Sequence, residues 1–232
     1  MRRSCATVCA LCLAALPPVA GAYAFFGQPN ASNGGPQPLQ IEGTPVVWPD
    51  GKTDVAITLN FDESYRDSAL DAMRTGWNAA GTPLQFSEGT TVAQPCRTSD
   101  GVNVAGWRMT TCDGSSFGDA LAVTLVTHTR RSGRWEISDT DIIVNSSRQP
   151  WSAHRSGPFT SVPYDFHRIF MHELGHALGL EHPDEADQTV TAIMNSRVSD
   201  IETLQDDDID GINYLYGDVD TRTNTRNQSD SG

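Results

Sequence analysis

At 232 residues the chain accommodates one medium-sized domain with terminal extensions, and a 38% share of hydrophobic residues is enough to build its core. The formal charge of −13 excludes nucleic acid and anionic lipid as main partners, because phosphate groups are bound through clustered Lys and Arg. With 20 glycines and 13 prolines, long loops are expected between the regular elements.

Residues 1–24 read as an export signal. Arg2 and Arg3 make a short positive start, and an apolar run from Cys5 to Leu16 follows. Pro17 and Pro18 break that run, and Ala22-Tyr23-Ala24 places small residues where a signal peptidase reads. The run is too short to span a bilayer, so a secreted product is expected (extracellular or periplasmic), with no stable membrane insertion after cleavage. Cleavage removes Cys5, Cys9 and Cys12 and leaves Cys96 and Cys112 as an even pair. In an oxidising compartment these two most simply form one disulfide, the alternatives being free thiols or a thiolate on a metal.

Residues 25–45, rich in Gly, Pro, Asn and Gln, read as an extended lead-in. Val55 to Phe61 alternates apolar and polar residues and predicts a strand. Asp67 to Ala80 carries Leu70, Met73, Trp77 and Ala80 at helical spacing, a helix with one buried stripe. Leu84 to Phe86 begins a second strand. Loop is expected from Pro95 to Gly118, with a strand inside it at Val102 to Trp107. Ala120 to Thr127 and Ile137 to Asn145 are further strands, joined through the basic turn Arg130 to Arg134. Pro150 to Pro163 reads as loop. Tyr164 to Leu178 is the strongest helix, its apolar face made by Phe166, Ile169, Phe170, Leu174 and Ala177. A last helix runs from Gln205 to Leu215, and residues 218–232 form a polar, disordered tail.

The chemistry concentrates in His172-Glu173-Leu174-Gly175-His176-Ala177-Leu178-Gly179-Leu180-Glu181-His182. Four residues apart on a helix, His172 and His176 lie one above the other and converge on a single cation. Gly179 can take a positive φ, end the helix and return His182 as a third ligand. Three neutral nitrogens fit one Zn²⁺ and leave a coordination position open for water, as catalytic sites do. Glu173 stands beside the metal, where a carboxylate takes a proton from that water.

This segment resembles the HExxHxxGxxH signature of the metzincin metallopeptidases. The resemblance implies an α+β zincin fold: a twisted mixed sheet with two helices above the zinc cleft, and a small lower part with a methionine turn and the C-terminal helix. Ala192-Ile193-Met194-Asn195 is the candidate turn, with Met194 as an apolar floor beneath the imidazoles. Asp207 to Gly217 looks like the helix that closes matrixin catalytic domains, which places residues 46–217 in a matrixin-like domain. Asp141 to Asn145 is similar to the edge strand that lies along the substrate in bacterial matrixin-like enzymes, implying that Ile143, Val144 and Asn145 bind substrate. Ser196 stands where astacins and serralysins carry a metal-facing tyrosine.

The function implied is a zinc metalloendopeptidase acting, as a monomer, on protein or peptide substrates. A catalytically silent zinc-binding module is the rival, and the intact Glu173 speaks against it. The PRCGxPD segment of the matrixin cysteine switch does not occur in the sequence. His128, Asp139 or Asp141, His154 and His167 are too scattered to predict a second, structural zinc, and no motif specific for Ca²⁺ is present.

Overall fold

The computed structural model describes residues 24–25, 45–97, 100–154, 156–159, 162–186 and 188–217. Apart from Ala24, the expected export signal lies outside them, as do most of the lead-in and the polar tail. Val55, Ile57 and Leu59 alternate into the core along strand β2 (Asp54–Asn60). The chain turns at Asp62 into helix α1 (Glu63–Asp71), which continues through a wider π turn at Ala72–Gly76 and a 3₁₀ turn at Trp77–Ala80. Gly81, at φ 84°, ends it.

This helix starts four residues earlier than Asp67, the start expected from the apolar stripe. Its first turn is held by Tyr65, whose ring packs edge-on to Trp107 and Phe166 and whose hydroxyl donates to the Trp151 carbonyl at 3.1 Å. The wider turn carries Trp77 inward, and its indole N–H donates to the Met171 carbonyl at 2.8 Å.

Strands β3 (Gln85–Glu88), β4 (Asn103–Arg108), β5 (Ala122–Arg131) and β6 (Arg134–Asn145) complete a five-stranded sheet in the order β3-β2-β4-β6-β5. All neighbours are parallel except β5 with β6. The connection between those two is tighter than the basic turn expected from Arg130 to Arg134. Only Ser132 and Gly133 lie between the strands, both at positive φ, the geometry that matches strand twist in a two-residue hairpin.

The strand order corrects one expectation. β6 is interior, between β4 and β5, so Ile143, Val144 and Asn145 are sealed from solvent and cannot line a substrate groove. The strand at that edge of the sheet is β5, with β3 at the other. Asn145 instead secures the approach to that edge: its backbone N–H donates to the Leu121 carbonyl and its side-chain amide to the Ala120 carbonyl, each at 2.9 Å.

Short strands β7 (Trp151–Ser152) and β8 (Tyr164–Asp165) pair within the stretch expected as loop and at the first residues expected as helix. Helix α2 therefore spans Phe166–Ala177, with the Asp165 carboxylate accepting from the Arg168 N–H at its start. Phe166 and Phe170 stack against each other and join Phe61, Tyr65, Trp107 and Trp151 in an aromatic core between helices and sheet. After α2, strand β9 (Leu180–Glu181) pairs antiparallel with β1 (Ala24–Phe25), and helix α3 (Asp206–Tyr216) ends the described domain. Cys96 and Cys112 form a disulfide. Among the described residues no helix is long and apolar enough to cross a membrane.

Candidate active site

Two turns of α2 bring His172 and His176 to one face, and the reversal at Gly179 returns His182 to meet them. Gly179 adopts φ 96°, and a Cβ there would approach the Val46 carbonyl oxygen to 2.6 Å, so the turn needs glycine on both counts. The three Nε2 atoms form a triangle with edges of 3.0–3.1 Å.

Each Nδ1 faces an acceptor. That of His172 lies 2.8 Å from the Ile193 carbonyl, that of His176 2.8 Å from the Leu180 carbonyl, and that of His182 3.1 Å from Glu185 Oε2. The ring proton is thereby assigned to Nδ1, and each Nε2 presents its lone pair to the other two. Three lone pairs this close repel one another unless a cation lies among them, so the donor set fits one catalytic zinc. Burial and the neighbouring His182 push His172 down to about 4, and burial with both neighbours holds His176 well below the usual imidazole range. Both rings are neutral at neutral pH, the state a metal requires of them.

Glu173 is buried beside this triangle, and burial raises its carboxyl to about 7 against the opposing pull of a hydrogen bond from Thr124. The Thr124 hydroxyl on β5 lies 2.6 Å from Glu173 Oε2 and 3.1 Å from the Glu173 backbone carbonyl. The sheet edge and the helix are thus tied together at the carboxylate. Nothing in the local sequence singles out Thr124 from the other threonines of its strand.

Met194 lies buried under the helix. A Cβ at Gly175 would overlap Met194 Sδ and come within 2.7 Å of Trp77, so glycine between the two helical histidines is what lets the methionine turn approach. The turn is pinned from below by α3. Asp208 accepts from the Ile193 N–H at 2.9 Å, the Met194 N–H at 3.2 Å and the Gln205 N–H at 2.8 Å. Burial raises the Asp208 carboxyl above its usual range, although all three N–H groups act against that. A further tie comes from Asp184, which accepts from the Ser196 N–H at 2.8 Å and the Ser196 hydroxyl at 2.7 Å. Ser196 thus binds the loop after His182 to the methionine turn.

The imidazoles floor a cleft of about 870 Å³. Ala122, Val123 and Thr124 of β5 line it, as do Asn195, Ser196, Arg197 and Val198 of the methionine turn and the segment after it. Toward the start of α2 the lining turns apolar, with Phe159, Tyr164 and Ile169.

The other metal-capable residues do not join this centre. His128 packs against Trp135 on the β5–β6 hairpin, and His154 packs against His167, which meets Asp71 at 3.0 Å. Asp141 accepts backbone N–H groups of Cys96 and Val104. Asp113 is engaged within its own turn by Thr111 and Ser115. Among the described residues only His172, His176 and His182 bring three candidate ligand atoms within 4.8 Å of one another.

An α+β fold with three imidazoles over a methionine turn defines a metzincin. The profile described as Matrixin matches residues 55–217, and the chain belongs to the matrixin family. Metalloendoproteinase 4-MMP of Arabidopsis thaliana is 28% identical over 105 residues, covering 45% of this chain and 28% of that protein, so the match spans little more than a quarter of the relative's length. Among solved structures, high choriolytic enzyme 1, a hatching enzyme zinc-protease from the medaka fish Oryzias latipes, aligns at 13% identity with a TM-score of 0.40. That alignment covers 73% of this chain and 94% of the other.

Proposed function

We propose that the protein is a secreted zinc-dependent endopeptidase in which His172, His176 and His182 hold the metal and Glu173 is the general base. The observation that carries this reading is the buried carboxylate of Glu173 beside three converging imidazoles, at the floor of an open cleft. Zinc bound there supplies Lewis acidity, acidifying water and polarising a carbonyl. An extended substrate pairs with the edge of β5 through main-chain hydrogen bonds, which sets its carbonyl over the histidines. Thr124 fixes one oxygen of Glu173, and the other accepts the proton of the attacking water and returns it to the leaving amine. Met194 and Gly175 keep the floor close and dry. In this reading residues 1–24 are removed on export, residues 25–45 lead into the catalytic domain of residues 46–217, and residues 218–232 trail it.

Zinc-loaded protein is expected to cleave casein or a mixed peptide library, to stop on chelation and to resume when zinc returns. A protein that binds zinc at these histidines but cuts nothing would overturn the assignment.

The position of Thr124 carries a pH dependence. Glu173 works as a base only when deprotonated, so kcat/KM rises with pH through its ionisation, and the metal's charge sets that limb lower than the value near 7 at which burial and the Thr124 hydrogen bond leave it without a metal. Thr124→Val removes a donor that stabilises the carboxylate. The acid limb should therefore move to higher pH, with a larger loss at pH 6 than at pH 8. Superimposable profiles would remove Thr124 from the base's environment.

A further inference from the structure

The proposed chemistry does not use the basic turn between β5 and β6. Arg130, Arg131 and Arg134 crowd three positive charges into five positions of a chain that carries 29 acidic residues against 16 basic ones. All three are exposed, at the tip of the β5–β6 hairpin. Strand register sets Arg131 directly opposite Arg134, a like-charge pair that weakens a hairpin. Partial relief comes from Glu136 Oε2, 3.7 Å from Arg131 Nε, and from Asp50 Oδ2, 2.9 Å from Arg134 Nη1. Arginines this open to water gain little from such pairs. Among the described residues Arg130 has no ion pair. The tip nevertheless keeps a fixed shape, because Ser132 and Gly133 close it in two residues and the His128 ring packs edge-on against Trp135 at 5.2 Å.

The tip continues the line of the cleft. β5 ends its sheet, and among the described residues no strand pairs with its outer side. Its first residues, Ala122, Val123 and Thr124, line the metal cleft. Arg130 lies six positions beyond Thr124 on the same strand, about 20 Å away. A peptide extended along that edge from the cleft therefore runs toward the arginines. The register shift between Thr127 and His128 twists the strand there. Main-chain pairing need only reach this bulge, because the long arginine side chains span the remainder. A guest antiparallel to β5, the direction that pairs slightly better, carries the residues N-terminal to its scissile bond toward the tip.

We infer that the tip of the β5–β6 hairpin is a docking surface for acidic substrates: Arg130 and Arg131, backed by Arg134, hold carboxylates about six residues N-terminal to the scissile bond. The inference rests on the peptidase reading above. Contacts this far from the reacting carbonyl hold substrate and transition state alike, so they lower KM and leave kcat unchanged. The charge balance favours a polypeptide guest. A broad anionic surface would be repelled by the acidic remainder of the molecule, whereas an extended peptide beyond the cleft meets the tip alone.

The test uses the zinc-loaded full chain at low salt and quenched peptides with one shared scissile sequence. One carries three Asp residues about six positions before the scissile bond, a second has Asn there, and a third carries the Asp residues about six positions after it. Wild type should cleave the first about fivefold better than the second, through KM. That advantage should fade at high salt and be absent from the third peptide. Arg130→Gln combined with Arg131→Gln should erase the advantage and leave cleavage of the Asn peptide unchanged, while Arg130→Lys with Arg131→Lys should keep most of it. Should the double glutamine variant fail to fold, Arg130→Gln alone decides, because it breaks no ion pair, and an undiminished advantage overturns the inference. Equal KM values for the Asp and Asn peptides, an advantage that survives the double glutamine variant, or one found only in the third peptide would overturn the inference while leaving the peptidase reading intact. A wild-type protein that binds a sulfated polysaccharide through these arginines but treats the peptides alike would overturn it in favour of a glycan surface. One that binds zinc and cuts none of the peptides would overturn both readings.

Discussion

Glu173→Gln should lower kcat by ~10²–10⁴ from loss of the general base, a barrier increase of about 3–5 kcal/mol, with the metal and the fold retained. The substitution is nearly isosteric, and glutamine keeps an oxygen that can accept from the Thr124 hydroxyl, so the sheet edge stays tied to the helix. What it removes is the capacity to take a proton. Elemental analysis should find zinc at the wild-type level while turnover of a quenched peptide collapses. A variant retaining more than about a tenth of wild-type turnover would demote Glu173, since positioned acid–base catalysis is worth far more than that.

His176→Ala should abolish activity by the opposite route, through loss of the metal. The ring of His176 is the most enclosed of the three, held through Nδ1 by the Leu180 carbonyl, with both other Nε2 atoms close by. Deleting it leaves two ligands, and the fall in zinc affinity should exceed the ~10–100-fold that loss of a supporting hydrogen bond costs. Wild type should carry one tightly held zinc per chain, and the variant should lose it on dialysis. Two equivalents released only on unfolding would point instead to a structural metal.

The features legible in the sequence are those whose geometry is local. His172, Glu173 and His176 are set by helical spacing, and Gly179 by the need to reverse the chain before His182. Their convergence follows from residues within a few positions of one another. Met194 was accessible through the family resemblance, and the constraint on Gly175 shows why the methionine can come so close. The supporting contacts around the site were not legible, because the partners are distant in the chain. Thr124 meets Glu173 across 49 positions, and Arg168 meets Glu202 across 34.

The misplaced substrate edge has a similar origin. Strand order is a property of pairing, which an alternating or apolar run does not encode. One cue was nevertheless present. Ile142-Ile143-Val144 is uniformly apolar, as suits a strand covered on both faces, whereas β5 intersperses Thr124, Thr127 and Thr129 along a partly solvated edge. The early start of α1 was hidden for another reason: Tyr65 contributes through an aromatic cluster and not through a helical stripe.

Asp208 carries a thermodynamic consequence for the whole domain. Its carboxylate fastens α3 to the backbone of Ile193 and Met194, and the Ile193 carbonyl orients His172. Metal occupancy and docking of the terminal helix are thus two halves of one equilibrium. Because such coupling is reciprocal, whatever the docked helix adds to zinc affinity, bound zinc returns as resistance of that helix to fraying, although the two never touch. The stretch from Gln205 to Tyr216 then behaves as a latch whose hold depends on free zinc, tightening with the logarithm of its concentration above the dissociation constant.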